Sequence, residues 1–287
     1  SPSAMLSGSR VEDIHDRIIR AVRDFFAQAG MSRAVLGLSG GLDSAVVAAL
    51  AAEALGKEQV TGILMPSSWS TVHSVNDAVE LADNLGIKYH IIPIGAIYDR
   101  FMKEAEPLFE GDFHWDTTQE NLQARIRGTI LMMYSNRHGA LLLNTTNKSE
   151  LSMGYGTLYG DLCGALMVIA DLYKTEVYEL VAYINREREL IPLSTITKAP
   201  SAELRDGQKD TDSLPPYDVL DPVLYSLNEG GRSAEQILQE GVDKALVERI
   251  LRLRRAAAFK VHQLAPEIKI SSCPLLDRSK WVEPKTT

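Results

Sequence analysis

Cysteine is nearly absent. The 287 residues hold two, Cys163 and Cys273, far apart and with no C-x-x-C. That excludes a disulfide framework and a zinc ribbon, and it fits a reducing cytoplasm. Long apolar runs are missing as well. No stretch of about 18 apolar residues occurs, so no transmembrane helix is expected and no membrane partner. The opening SPSAMLSGS has neither a basic start nor an apolar centre. It does not read as a signal peptide, and it reads as a cloning scar ahead of Met5. Positive charge is also scarce: 30 Lys and Arg against 38 Asp and Glu leave a net charge of −8. This argues against a nucleic acid bound over a broad face, while a few local cations can still serve an anionic small molecule. Internal repeats, low-complexity tracts and clear linkers are absent too. With 45% hydrophobic residues the chain can bury a sizeable core, and residues 1–287 are expected to form one domain.

What is present is an alternation. Val11–Gln28 carries Ile14, Ile18, Ile19, Val22, Phe25 and Phe26 at helical spacing. Ala34–Leu38 is a short apolar strand, and Ser44–Leu55 is a helix of Ala, Val and Leu that reads as buried. Val60–Met65 is a second strand. Val72–Leu85 is a helix that Gly86 closes. Tyr89–Ile94 is a third strand, Gln119–Asn136 a long helix, and ALLLNTTN a fourth strand entering a polar turn. Thr175–Ile184 is a further helix. Strand and helix alternating at short spacing predict an α/β fold, a doubly wound parallel sheet with helices on both faces. Thr195–Tyr217 departs from this pattern, with four Asp or Glu, Lys198, Lys209 and three prolines. So long a polar stretch reads as a functional loop or lid. Two or three extra C-terminal helices follow, Lys244–Phe259 the clearest.

Between the first strand and the next helix stands VLGLSGGLDSAVVAAL, Val35–Leu50. Glycines at the entry of a helix form an anion site. The first helical N–H groups lack partners, the dipole favours negative charge, and Gly40 and Gly41 let the backbone approach a phosphate. Ser39 and Ser44 can donate. Asp43 would repel a phosphate unless Mg²⁺ sits between them. The loop has no lysine, so it is not a Walker A loop, and its spacing is wrong for a dinucleotide fingerprint. A plain strand-to-helix turn with Asp43 as helix cap is the competing account.

Four later stretches add to it. In QENLQARIRG, Asn121 and Arg125 are four apart and share a helix face; an amide beside a guanidinium suits a polyanion, and a solvated face suits them as well. NTTNKSELSMGYGTLYGDLCG begins where the fourth strand ends, the usual place for ligands in open parallel sheets. There Thr145 can bond a nucleotide and Glu150 can ligate Mg²⁺, whereas Cys163 reads as packing between glycines. In DLYKTEVYEL, Lys174 opens a helix against the dipole, which a local anion would explain. The last stretch, KAPSAELRDGQKDTDSLPPYDVLD, lies in the lid.

The loop S-G-G-x-D-S resembles the pyrophosphate loop of the N-type ATP pyrophosphatases. Together with N-x-x-A-R-x-R, N-K-S-E, Y-G-D and P-S-A-E-L, in that order, the chain resembles NAD synthetase from about Val11 to Lys260. The resemblance implies a Rossmann-like, adenine nucleotide alpha hydrolase-like fold. It implies ATP and Mg²⁺ as cofactors and the amidation of deamido-NAD to NAD through an acyl-adenylate, with ammonia as nitrogen donor. Gly37, Leu38, Ser39, Gly40, Gly41, Leu42, Asp43 and Ser44 would cradle the ATP phosphates. Thr145, Lys174 and Ser201 would contact ATP, and Asp43 and Glu150 would hold the metal. Asn121, Arg125, Tyr155, Thr157 and Lys260 would hold deamido-NAD, although Phe259 and Val261 depart from the family's E-Y-K-R. Asp161 is implied as the residue receiving ammonium and Lys174 as the cation at the leaving pyrophosphate, the two catalytic candidates. A cytoplasmic homodimer with its dinucleotide site at the subunit interface is implied too.

The wording of NLQARIRG and SELSMGYGTLYGDLCGAL is closer to the glutamine-using members, which carry an amidase domain ahead of the synthetase. Nothing before Val11 reads as one. Three readings follow: use of free ammonia, a separate glutaminase partner, or an excised fragment. A tRNA-thiolating pyrophosphatase would need reactive cysteines and a basic surface. A nucleotide-sensing module would not need Glu150, Lys174 and a lid together.

Overall fold

The computed structural model describes residues 8–285; the leader reading falls on residues 1–7 and so lies outside them. The elements run α1 (Gly8–Ala29), β1 (Arg33–Gly37), α2 (Leu42–Leu55), β2 (Val60–Leu64), α3 (Val72–Leu85), β3 (Lys88–Ile91), α4 (Gly95–Glu104) and α5 (Thr117–His138). Then come β4 (Ala140–Asn144), α6 (Lys148–Met153), β5 (Leu166–Met167), α7 (Lys174–Ile184) and α8 (Leu193–Thr197). The chain closes with α9 (Tyr217–Asn228), α10 (Ala234–Gln239), α11 (Lys244–Ala257), β6 (Glu267–Ile268) and β7 (Trp281–Val282).

The strands form one parallel sheet in the order β3-β2-β1-β4-β5-β6-β7. The order reverses beside β1, so the crevice between the carboxyl ends of β1 and β4 is the natural ligand position. Side chains alternate across the sheet. Ala34 and Leu36 join the core under α1, α2 and α7, while Val35 joins the core with Tyr98 of α4 and Ile126 of α5. The expected helices on both faces are therefore present. So is the buried α2, in which Val46, Val47, Ala48 and Leu50 are wholly covered. A third core joins α9, α10 and α11 to Met153 and Tyr173, which fixes the C-terminal helices against the end of the sheet.

The local signals behave as elementary chemistry requires. Thr71 caps α3 by accepting from the Ser74 N–H (3.1 Å), and Gly86 ends it in the left-handed region (φ 71°). Asp116 and Gln119 close a capping box at the start of α5. Some expectations need correction. The third strand ends at Ile91 rather than Ile94, although the Ile92 and Ile94 N–H groups on either side of Pro93 still donate to the Leu64 and Pro66 carbonyls (2.8 and 2.9 Å). Helix α4 and the two-residue strands β5, β6 and β7 lie where no periodicity pointed to them.

Candidate active site

The loop after β1 lies at the head of a cavity of about 510 Å³ that runs along the carboxyl ends of β1, β2 and β4. Gly37, Leu38, Ser39, Gly41, Leu42, Asp43 and Ser44 all line it. The loop holds itself in shape. Ser39 Oγ accepts from the Gly41 N–H (3.1 Å) and lies 3.2 Å from Ser44 Oγ, which in turn accepts from the Ser39 N–H (3.3 Å). Gly40 does something other than line the cavity. Its φ is +82°, and a Cβ there would stand 2.2 Å from the Ser74 carbonyl oxygen. It is the point where α3 presses on the loop, and only glycine fits. Gly41 is the N-cap of α2 without a side-chain cap, so Asp43 does not serve as the cap.

Asp43 instead reaches across the crevice. Its carboxylate accepts from Lys174 Nζ (2.8 Å) and from Asn147 Nδ2 (3.2 Å). Lys174 is not solvated, for its side chain is 4% exposed. Burial opposes its charge, yet Asp43 and then Glu150 hold its pKa above the ordinary lysine value. This is the local anion that its place at the start of α7 asked for. Glu150 closes a capping box with Asn147 on α6. Burial, and then Asp43, push its carboxyl well above the usual range. Asp210, from the polar segment, is raised by burial, with Asp43 adding. Its two oxygens accept from Tyr155 Oη (3.2 Å) and Tyr217 Oη (2.8 Å).

Carboxylates thus outnumber the lysine at this end. Hard oxygen donors with unrelieved repulsion fit Mg²⁺. Among the described residues no cluster of three or more His, Cys, Asp or Glu could hold a metal by itself. Two carboxylates completed by phosphate oxygens and water is the usual form for this ion.

Further along the cavity, Thr157 Oγ donates to Asn121 Oδ1 (2.9 Å), and Thr145 faces the same space. Asp161 lines the cavity with an open surface. Its Oδ1 accepts from the Thr157 N–H (2.9 Å), while burial of the carboxyl raises its pKa. Lys260 points into the same corner and donates to the Gly154 and Gly156 carbonyls (2.9 and 2.8 Å). Burial lowers its pKa, and Asp161 opposes that. Gly160 lets this loop approach α5, since a Cβ would stand 2.9 Å from the Ala124 carbonyl carbon. Cys163 packs in the cavity wall as expected, its thiol pKa raised by burial and then by Asp161. Ser201 lines the cavity with its hydroxyl donated to the Gln208 carbonyl (2.5 Å).

Arg125 is the exception among the expected site residues. It is exposed, does not line the cavity, and donates through Nε to the Leu158 carbonyl (3.1 Å). The cavity stripe of α5 is Thr117, Glu120, Asn121, Ala124, Arg127, Gly128 and Leu131. Arg127 therefore takes the inner place that sequence reasoning passed over, and the three- and four-residue spacing through Asn121 and Ala124 was the signal for it. Asn147, Glu203 and Asp210 were missed as well, and only the fold brings them in.

The 198–216 segment covers the cavity and is tied down. Glu203 Oε1 accepts from Thr71 Oγ (2.9 Å) and Ser74 Oγ (2.8 Å). Arg205 pairs with Glu120 (2.7 Å), and Gln123 Nε2 donates to the Leu204 carbonyl (2.8 Å).

A parallel sheet, a glycine loop at its switch point and an acidic pocket beneath a cover are the features of the adenine nucleotide alpha hydrolase-like fold. The model of the NAD synthase family matches residues 14–264, and the chain belongs to that family. It is 50% identical over 260 residues to the glutamine-dependent NAD(+) synthetase of Synechocystis sp., covering 91% of this chain and 46% of that protein. The chain spans about half the length of the curated relatives it matches. Among solved structures, the glutamine-dependent NAD+ synthetase of Acinetobacter baumannii, in complex with ADP, superposes with a TM-score of 0.64 at 42% identity, over 91% of this chain and 47% of that one. The NH3-dependent NAD synthetase of Campylobacter jejuni gives 0.70 at 32% identity, over 87% and 96%. No helix among the described residues is long and apolar enough to cross a membrane.

Proposed function

We propose that this chain, as a single synthetase domain, amidates deamido-NAD to NAD with ATP and ammonia, releasing AMP and pyrophosphate. The observation that carries the reading is the Asp43–Lys174 pair beside Glu150 at the head of the glycine loop. It lies in the same cavity as Asn121, Thr157 and Asp161. The ADP found in the Acinetobacter baumannii relative supports a nucleotide here.

The chemistry needs two like-charged reactants brought together. The nicotinate carboxylate attacks the α-phosphorus of ATP, and the Pα–O bond to pyrophosphate breaks. Ammonia then adds to the acyl-adenylate carbonyl, AMP leaves, and one proton is released. Residues 37–44 would cradle the phosphates, chiefly through the N–H groups that open α2 and have no partner within the helix. Lys174 would face the leaving pyrophosphate; a cation 4 Å from an anion is worth roughly 4 kcal/mol at an effective dielectric of about 20. Asp43 and Glu150 would hold Mg²⁺, which when bound neutralises charge on the pyrophosphate. Thr145 and Ser201 would contact ATP. Asn121, Tyr155, Thr157 and Lys260 would hold deamido-NAD, and Arg125, on the outer surface, would reach it only where two subunits of a homodimer meet. Asp161 would receive the ammonium proton, a task that a carboxyl of raised pKa suits. The 198–216 cover would keep water from the adenylate.

The nitrogen source is ammonia in this reading, delivered freely in the cytoplasm or by a separate glutaminase domain or subunit. Cys163 is a poor nucleophile because partial burial and then Asp161 raise its thiol pKa. The test is an incubation with ATP, Mg²⁺, deamido-NAD and either ammonium or glutamine. NAD, AMP and pyrophosphate should form in equal amounts with ammonium alone, faster as pH rises because only unprotonated ammonia attacks. ADP and phosphate as products, or equal turnover on glutamine, would overturn it.

A further inference from the structure

The cavity wall holds a cation that forms no ion pair among the described residues. Arg127 lies on the inner stripe of α5, its guanidinium in the cavity lining. Its Nε donates to the Met65 carbonyl (3.0 Å), and no other hydrogen bond from it reaches a described residue. Shielded arginines are ordinarily paired. Two carboxylates of the same cavity lining, Asp161 and Glu203, favour its charge. Both are engaged elsewhere. Asp161 accepts from the Thr157 N–H and lies near Lys260, while Glu203 accepts from the Thr71 and Ser74 hydroxyls. Neither forms an ion pair with Arg127.

The Met65 carbonyl fixes the plane of the guanidinium at the carboxyl end of β2 and leaves the two Nη groups free. Such a fork matches the paired oxygens of a carboxylate or phosphate. We propose that Arg127 is a further ligand-binding residue, whose free Nη edge receives an anionic oxygen of the reacting pair. That oxygen belongs either to the α-phosphate of ATP or to the nicotinate carboxylate that attacks it. The inference rests on the reading above and adds to it a cation on the β2 side of the cavity, opposite Lys174. Burial has lowered the guanidinium pKa to about 10, so a bound anion would relieve a cost that the free protein carries.

The experiment uses the 287-residue chain and the variants Arg127→Met and Arg127→Lys. Melting curves are compared first, then the dissociation constants of ATP and deamido-NAD, then kcat and KM. Arg127→Met should lose roughly 100-fold in kcat/KM, the scale for losing one electrostatic donor at a reacting centre. Arg127→Lys keeps the charge but not the fork, and should remain at least about tenfold below wild type. Weakened ATP binding assigns the α-phosphate; weakened deamido-NAD binding with ATP unchanged assigns the carboxylate. Either supports the proposal. If Arg127→Met does not fold, Arg127→Lys decides. Variants within about threefold of wild type in both affinities and in kcat would overturn it. If the wild-type chain makes no NAD, the reading of function falls, and binding of ATP alone by the variants decides the role of Arg127.

Discussion

Two buried lysines sit on neighbouring segments and look alike. Lys148 opens α6 and Lys174 opens α7. Each pairs with an aspartate at 2.8 Å and lies near tyrosine rings. Their surroundings differ. Lys148 is wholly covered and donates to Asp171, Glu229, Ser271 Oγ (3.1 Å) and the Cys273 carbonyl (3.0 Å). Every proton it carries has an acceptor, and those acceptors come from the β5–α7 turn, the end of α9 and the tail after β6. Among the described residues the Lys174 ammonium donates to Asp43 alone and otherwise faces tyrosine rings and the cavity. A buried cation whose donors are saturated by protein holds a fold together. One left short beside a cavity waits for a ligand. Arg127 belongs with the second kind.

The comparison breaks if the two lysines can be exchanged in their effects. Removing Lys174 should abolish activity and spare the fold. Lys174→Met should lower kcat/KM on the order of 10³-fold, about 4 kcal/mol of transition-state stabilisation, with melting little changed. An active Lys174→Met protein would end its role at the pyrophosphate.

Lys148→Met should do the reverse. It leaves Asp171 and Glu229 buried without their cation, a loss of about 3 kcal/mol of stability. Activity per folded molecule should stay within about threefold of wild type. Denaturant melts alongside active-site titration would separate the two, and an unchanged midpoint would sink the structural assignment.

Glu150 sharpens the contrast within the active cluster. Glu150→Gln keeps an oxygen for the Asn147 N–H, so α6 keeps its cap. It removes one hard anionic donor. Turnover at limiting Mg²⁺ should fall about 100-fold, roughly 2.7 kcal/mol, and recover in part at high Mg²⁺. Turnover near wild type at limiting Mg²⁺ would remove Glu150 from the metal site.

The same contrast explains what was legible in the sequence. The loop Ser39–Ser44, the strands beside it and the buried α2 are local patterns, and the fold places them as their spacing implies. Lys174 was singled out because a lysine at the start of a helix opposes the dipole. Lys148, in N-K-S-E, also opens a helix, so that signal does not separate the two lysines; only the fold, which brings four acceptors to Lys148 and one to Lys174, does. Arg125 and Arg127 are two apart, and only the direction of the α5 stripe puts one inside and the other outside. The polar 195–217 segment was recognised as a cover. Its attachment through Glu203 and Asp210 depends on α3, Tyr155 and Tyr217, which no local pattern brings near. Two-residue strands carry no period to read.

The smallest effect concerns the surplus of negative charge around Lys148. Glu267 lies wholly buried there; one oxygen accepts from the Leu276 N–H (2.9 Å), and the other has no partner among the described residues. Burial, with Asp171 adding and Lys148 opposing, raises its pKa to about 7. A carboxyl raised on folding takes up its proton more readily in the native state than in the unfolded chain. Its contribution is therefore most favourable below the unfolded value, near 4.5, and is lost as pH rises through about 7. Glu267→Gln stays neutral at every pH and keeps an acceptor for Leu276. It should thus be the more stable protein at pH 8, by about 1 kcal/mol after allowing for relaxation around the site. That advantage should shrink toward pH 5.5. Denaturant melts of both proteins at the two pH values give the comparison. A Glu267→Gln protein less stable at pH 8 than at pH 5.5, relative to wild type, would mean that the Lys148 cluster already neutralises Glu267. The region would then be as fully compensated as the four bonds to Lys148 suggest.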